Sequence, residues 1–173
     1  MAEMRVENLY ERMRLLDERV DLEFENDGRF QIVIVGGGAL ILRGYISRAT
    51  DDLDILGANS KIYGLMELYD MNGNVNAYMD NFPYNYEDRL APLWSGNKID
   101  YYTASLEDIV ISKLCSNRGD DLSDIENVVR HIDWEILDKL AKDDHELRLN
   151  ILSDRRYNDF LANYEQFEKR FRS

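Results

Sequence analysis

Cysteine, proline, basic residues and long apolar runs are what this sequence has least of. Its 173 residues contain one cysteine, Cys115, and two prolines, Pro83 and Pro92. A lone cysteine excludes an intrachain disulfide and fits a reducing cytoplasm. Cys115 lies in the helical apolar stretch IVISKLC, where packing is a commoner fate for a thiol than nucleophilic chemistry. No apolar run reaches membrane-spanning length. Residues 1–25 are charged throughout and have no continuous apolar centre, unlike a signal peptide. The 21 Lys and Arg against 34 Asp and Glu give a formal net charge of −13. That deficit opposes general DNA or RNA binding, which depends on neutralising phosphates with basic side chains. A small molecule, a protein or a narrowly recognised RNA end remains compatible with it.

What is present reads as globular. The hydrophobic fraction is 45% and the aromatic fraction 11%, and the length suits one domain, or a small α/β core with a helical appendage. The most informative stretch is QIVIVGGGALILRGYISRATDDLDIL, from Gln31 to Leu56. Gln31 to Val35 is a short β-branched run, which Gly36, Gly37 and Gly38 stop abruptly. Ala39 to Arg43 favour a helix whose first N–H groups face back toward the glycines, a ready place for a phosphate. A second strand then carries Asp52-Leu53-Asp54-Ile55. Side chains alternate along a strand, so Asp52 and Asp54 share one face while Leu53 and Ile55 enter a core.

Two carboxylates held side by side repel and share a proton unless a cation lies between them. Magnesium suits such a pair, because it takes oxygen ligands and commonly binds one or two carboxylates plus substrate phosphates. The plainer alternatives are a solvated acidic edge at Asp51, Asp52 and Asp54, and a glycine turn that serves only tight packing. Two other glycine-loop chemistries fail on the letters. A dinucleotide-binding G-x-G-x-x-G needs glycine where the chain has Ile41, and a P-loop needs Gly-Lys-Ser/Thr, which is absent.

Strand, Gly-Gly, short helix and D-h-D on the next strand, where h is apolar, resemble the nucleotidyltransferase superfamily with the polymerase-beta-like fold. RATDDLDI resembles the R-x-T-x-D-h-D-h form of minimal and of abortive-infection, toxin-type nucleotidyltransferases. The resemblance implies an α/β (α+β) protein: a small mixed sheet with a nucleotidyltransferase core and a helical C-terminal part. It also implies transfer of an NMP from an NTP to an acceptor hydroxyl on RNA, protein or a small molecule. By the same resemblance Gly36, Gly37 and Gly38 hold the triphosphate, Asp52 and Asp54 bind Mg2+, Arg48 adds charge, and Thr50 orients the acidic strand. The chain departs from the Gly-Ser form in having Ala39 after Gly37-Gly38. Toxin–antitoxin and phage-defence systems are the settings of the relatives it resembles, so a cognate antitoxin or toxin is an expected partner. An antibiotic nucleotidyltransferase, and a degenerate member that binds only nucleotide or a partner protein, are the alternatives.

Along the rest of the chain, Leu9, Met13, Leu16, Val20 and Leu22 predict an amphipathic helix over residues 6–24. Asn59 to Leu68 reads as a helix, Met71-Asn72-Gly73-Asn74 as a turn, and Val75 to Asp80 as the start of another short helix. Phe82, Tyr84 and Tyr86 suit packing against the sheet or stacking on a base. Leu93-Trp94 and Ile99 to Tyr102 flank Ser95-Gly96-Asn97-Lys98, a hairpin with a four-residue turn. Asp100, in Ile-Asp-Tyr, resembles the third acidic position of the same family, which completes the metal site.

Ser105 to Asp108 resembles a capping box opening a helix over residues 106–117, with Asp in place of the usual Glu. A second helix is expected over residues 122–132. LEDIVISKLCSNRGDDLSDI resembles a block found after the toxin-type core, which implies a phosphate contact from Lys113, with Asp121 and Asp124 orienting Lys113 or Arg118. Helical segments follow at residues 134–140 and 147–152, and a longer amphipathic helix is predicted over residues 154–171. Its basic end, Lys169, Arg170 and Arg172, suits a helix C-terminus better than RNA. There are no repeats or long linkers, so the chain is expected to be a single domain. Within it, residues 1–26 form the first helix, 27–108 the core and 109–173 the helical part.

Overall fold

The computed structural model describes residues 6–73, 81–116, 119–143 and 145–172. The predicted helix start at Val75 to Asp80 lies outside the described residues, as do Asn74, Asn117 and Arg118. The protein is mixed α/β. Two compact units make it up, one formed by Met1–Val75 with Leu90–Ala104 and the other by Asn76–Arg89 with Ser105–Ser173. No helix among the described residues is long and apolar enough to cross a membrane.

The first unit carries the sheet. Helix α1 (Val6–Glu23) precedes β1 (Phe30–Val35), α2 (Gly36–Leu42) and β2 (Leu53–Gly57). A 3-10 turn capped by Asn59 leads into α3 (Tyr63–Leu68), then β3 (Met71–Asn72) and the hairpin of β4 (Ala91–Ser95) and β5 (Ile99–Thr103). The strand order is β3-β2-β1-β5-β4. Central β1 runs antiparallel to β2 and parallel to β5. Ile32, Val33, Ile34 and Val35 are all buried, the pattern of a strand covered on both faces. Pro92 lies on β4, an edge strand, where its missing N–H costs no central ladder bond.

Helix α1 buries Leu9, Met13, Leu16 and Val20 as the periodicity predicts, but Leu22 is 77% exposed. Two residues past Val20, it has rotated to the far side of the helix. The stripe instead includes a buried acid, Asp17. Its carboxylate accepts hydrogen bonds from the backbone N–H groups of Asn97, Lys98 and Ile99 at 2.9, 2.8 and 2.8 Å. Any Cβ on Gly96 would collide with that carboxylate. Asp17 therefore pins the hairpin turn to α1. Asp17→Asn exchanges one acceptor for a donor facing backbone donors, and is expected to cost about 2 kcal/mol. In a thermal melt that lowers Tm by roughly 4–8 °C.

Two turn expectations change. Ser95 pairs with Asp100 and belongs to β4, so the hairpin turn is Gly96 to Lys98, closed by Gly96 N–H to the Ile99 carbonyl at 2.9 Å. Met71–Asn72, expected as a turn, is an edge strand parallel to β2. The reversal comes one residue earlier, at Asp70, whose φ of 56° is left-handed.

The second unit is helical: α4 (Leu106–Ser116), α5 (Gly119–Val128), α6 (Trp134–Asp138), α7 (Glu146–Asn150) and α8 (Asp154–Phe171). Helix α5 starts before the expected Leu122 and gives way to a 3-10 turn at Val129–His131. Helix α8 has the predicted bounds and buries Phe160, Tyr164 and Phe167. Its basic end is occupied by ion pairs, Lys169 with Glu165, Arg170 with Glu126 and Arg172 with Glu168. Phe82 and Tyr86 are buried with ring centroids 6.1 Å apart, whereas Tyr84 is exposed. Their segment is tied to α7 by Tyr84 N–H to the Glu146 carbonyl and by Asn150 Nδ2 to the Phe82 carbonyl.

Ser105 caps α4 by accepting from Asp108 N–H at 3.0 Å. Asp108 does not complete the reciprocal box. Its buried carboxylate accepts both from Ser105 Oγ and, bidentately, from Arg89 at 2.9 Å. Burial pushes the Cys115 thiol up to about 12, which makes it an inert packing group.

Candidate active site

The end of β1 builds the site. Gly36 turns the chain into α2 with φ of +70°, a conformation that only glycine adopts without strain. Gly37 and Gly38 already belong to α2, so one residue makes the turn where the letters suggested three. A Cβ on Gly36 would come within 3.1 Å of Asp54 Oδ2, and one on Gly38 within 2.5 Å of Leu53 Cδ2. The bare glycine backbone thus lets α2 lie directly against the acidic segment. Gly38→Ala is expected to overpack that contact at a cost of about 1–3 kcal/mol, read as a lowered Tm.

Strand β2 follows the expected alternation. Leu53 and Ile55 are fully buried and Asp54 is half-buried. Asp52, just ahead of the strand, is exposed. Thr50 Oγ1 donates to the Asp52 carbonyl at 3.2 Å, bracing the approach to the strand. Partial withdrawal of the Asp52 carboxyl from water, and then the negative charges of Asp51 and Asp70, push it above the usual carboxylate range. Asp70 is paired with Arg12 of α1 at 2.5 Å, and its carbonyl accepts from Leu53 N–H at 3.0 Å. Arg48 donates to the Ala49 carbonyl at 3.2 Å.

The ladders decide which residues meet. Asp54 pairs with Val35 of β1 on one side and Asn72 of β3 on the other. Asp100 pairs with Gln31 of β1. From Gln31 to Val35 is four residues, or about 13 Å along the strand. Asp100 therefore sits toward the opposite end of the sheet from Asp54. There Arg29 grips its carboxylate at 2.7 and 3.0 Å and holds it below the usual carboxylate range. The same guanidinium donates to the Gly96 and Asn97 carbonyls, closing the hairpin end.

Among the described residues, no group of three or more His, Cys, Asp or Glu side chains is placed to hold a metal ion. Asp52 and Asp54 are the pair that fits one. They are hard oxygen donors, Asp52 just ahead of β2 and Asp54 within it, and one or two carboxylates are what magnesium commonly takes from a protein.

Lys113 belongs to the second unit. Its ammonium lies between Asp121 and Asp124, 3.0 Å from each, with its side chain 7% exposed. Ser116 Oγ also donates to Asp121. The letters around Asn72, Asp70 and Arg12 carry no motif. Strand pairing sets Asn72 beside Asp54, the charge of Asp70 reaches Asp52, and Arg12 joins them through its ion pair with Asp70.

A family model described as nucleotidyltransferase of unknown function (DUF6036) matches residues 11–172. No curated protein and no solved structure matches the chain.

Proposed function

We propose, from the premise that the chain belongs to the DUF6036 family of nucleotidyltransferases of unknown function, that it is a magnesium-dependent enzyme moving an NMP from an NTP to an acceptor hydroxyl, with release of pyrophosphate. The observation that carries this reading is the packing of the Gly36 backbone, at the turn into α2, against the Asp54 carboxylate. Asp52 and Asp54 are the residues that hold the cation. When bound, magnesium supplies the positive charge that neutralises the triphosphate and favours in-line attack. Backbone N–H groups of Gly37 and Gly38, in the first turn of α2, serve the phosphates. Thr50 keeps Asp52 in place, and Arg48 adds positive charge near the acidic segment. Asp100 and Lys113 have ion-pair partners of their own and are assigned to stability in this reading.

Resemblance to toxin-type nucleotidyltransferases supports RNA, a protein or a small molecule as acceptor, and a toxin–antitoxin or phage-defence setting with a cognate partner. The single cysteine supports a cytoplasmic location. One feature of the sequence favours a second reading, a degenerate member that binds nucleotide or a partner protein without turnover: Gly37-Gly38 is followed by Ala39, a departure from the Gly-Ser form of the superfamily it resembles.

Calorimetric titration of each NTP into wild type and Asp54→Asn, with and without magnesium, tests the proposal. Binding that needs magnesium and is lost in the variant supports it. Failure of every NTP to bind wild type would overturn it.

A further inference from the structure

We infer that Arg12 of α1 is a positioning residue for the acidic pair: by gripping Tyr69 and Asp70 it holds the peptide between Asp52 and Leu53, and so sets the carboxylates of Asp52 and Asp54 for the metal. The inference rests on the magnesium–nucleotide reading above and begins from that one peptide group. Both of its polar atoms are taken. The Asp52 carbonyl accepts from Thr50 Oγ1 at 3.2 Å, and the Leu53 N–H donates to the Asp70 carbonyl at 3.0 Å. The peptide joins Asp52 to the first residue of β2, and Asp54 is the second. Its orientation therefore fixes how both carboxylates leave the backbone.

Asp70 is poorly suited to hold that peptide by itself. It follows the end of α3 with a left-handed φ of 56°, where glycine or asparagine is the usual choice. A carboxylate there also meets the carbonyl end of the helix, which favours cations. Arg12 offsets both costs. Its Nη1 donates to the Asp70 carboxylate at 2.5 Å and to the Tyr69 carbonyl at 3.1 Å, so one guanidinium fixes two successive residues. The two side chains are 19% and 18% exposed, which leaves the pair less screened than one at the surface. Arg12 is delivered from a packed element, since its neighbours Leu9, Met13 and Leu16 on α1 are buried. The ties run in one line, from α1 to residues 69 and 70, from Asp70 to Leu53, and so to the acids on either side. Partners of this kind, one step removed from the ligands, are what orient ligating carboxylates.

The probe is Mn2+ alone, titrated into the full chain well below Tm and followed by electron paramagnetic resonance of the free ion. Arg12→Met removes the donor and keeps most of the apolar stem. By charge alone this variant would bind Mn2+ more tightly, because Asp70, whose negative charge reaches Asp52, loses its neutralising partner. Loss of positioning acts in the opposite sense, and is expected to lower Mn2+ affinity about 10- to 100-fold. Arg12→Met combined with Asp70→Asn removes cation and anion together, so no charge of the pair is left unpaired and the net charge is unchanged. Asparagine tolerates the left-handed backbone, so this variant is expected to fold and still to lose about 10-fold or more in affinity. Asp17→Asn is the control, since it loosens α1 from the β4–β5 turn instead, and is expected to bind Mn2+ within about twofold of wild type. The double variant within about twofold of wild type overturns the inference, as does an Asp17→Asn variant that loses as much as the Arg12 variants, or wild type that binds no Mn2+. A parallel calorimetric titration with Mg·NTP separates this inference from the functional reading. Loss of Mn2+ in both Arg12 variants with no NTP binding to wild type supports the positioning role and sinks the nucleotidyl-transfer reading. NTP binding that needs Asp54 but is indifferent to both Arg12 variants does the reverse.

Discussion

Asp54→Asn is expected to lower magnesium-dependent nucleotidyl transfer by on the order of a thousandfold, about 4 kcal/mol of transition-state stabilisation, without lowering Tm. The substitution keeps the side chain's shape and removes the charge of the carboxylate that stands against Gly36. Nothing else in its row of the sheet replaces that charge, since its ladder partners are Val35 and Asn72. Stability is expected to change little, because Asp54→Asn keeps the side-chain volume that packs against Gly36. Rates and melts measured on the same preparation check both halves. A variant that loses activity only because it unfolds would refute the account of Asp54.

Lys113→Met should cost about 3–5 kcal/mol of folding free energy, because it leaves Asp121 and Asp124 facing each other, buried, without their shared cation. Urea unfolding gives the number. Changing all three residues together, Lys113→Met with Asp121→Asn and Asp124→Asn, is expected to recover most of the loss, since the buried cation and both carboxylate charges are then removed together. A Lys113 whose main work is to contact phosphate predicts the contrary pattern, near-normal unfolding with NTP affinity reduced.

Both predictions concern residues visible in the letters, but the letters identify their surroundings unevenly. Strand β1, the glycines and β2 are legible because an apolar β-branched run, a hard stop and a period-two alternation each have one simple physical meaning. Helix α8 is legible for the same kind of reason, a long 3.6-residue stripe from Asp154 to Phe171. What cannot be read locally is register. The Ile-Asp-Tyr pattern marks Asp100 as a strand acid, yet only its pairing with Gln31 shows that it lies along the sheet from Asp54. Met71–Asn72 is too short to carry periodicity. It becomes a strand because β2 offers it an open edge.

Charged residues were hidden for a different reason. Asp17 sits among charges on an amphipathic helix, where an acid ordinarily faces water. Its three hydrogen bonds reach the backbone of a turn some eighty residues later, as the sequence separations of 80, 81 and 82 show. Asp108 looked like half of a local capping box, but its carboxylate is taken by Arg89 from outside the helix. In each case a long-range partner outcompetes the local motif, because a buried carboxylate must find donors wherever the fold supplies them.

Nucleotidyl transfer itself is tested most directly with two labelled forms of the same NTP, one carrying the label at the α-phosphate and one at the γ-phosphate. Each is incubated with the protein, magnesium and, in separate reactions, RNA, protein or small-molecule acceptors. The account predicts that an acceptor gains the α label and never the γ label, that pyrophosphate is released, and that Asp54→Asn does neither. Transfer of the γ label instead, or equal α labelling by wild type and Asp54→Asn, would contradict it.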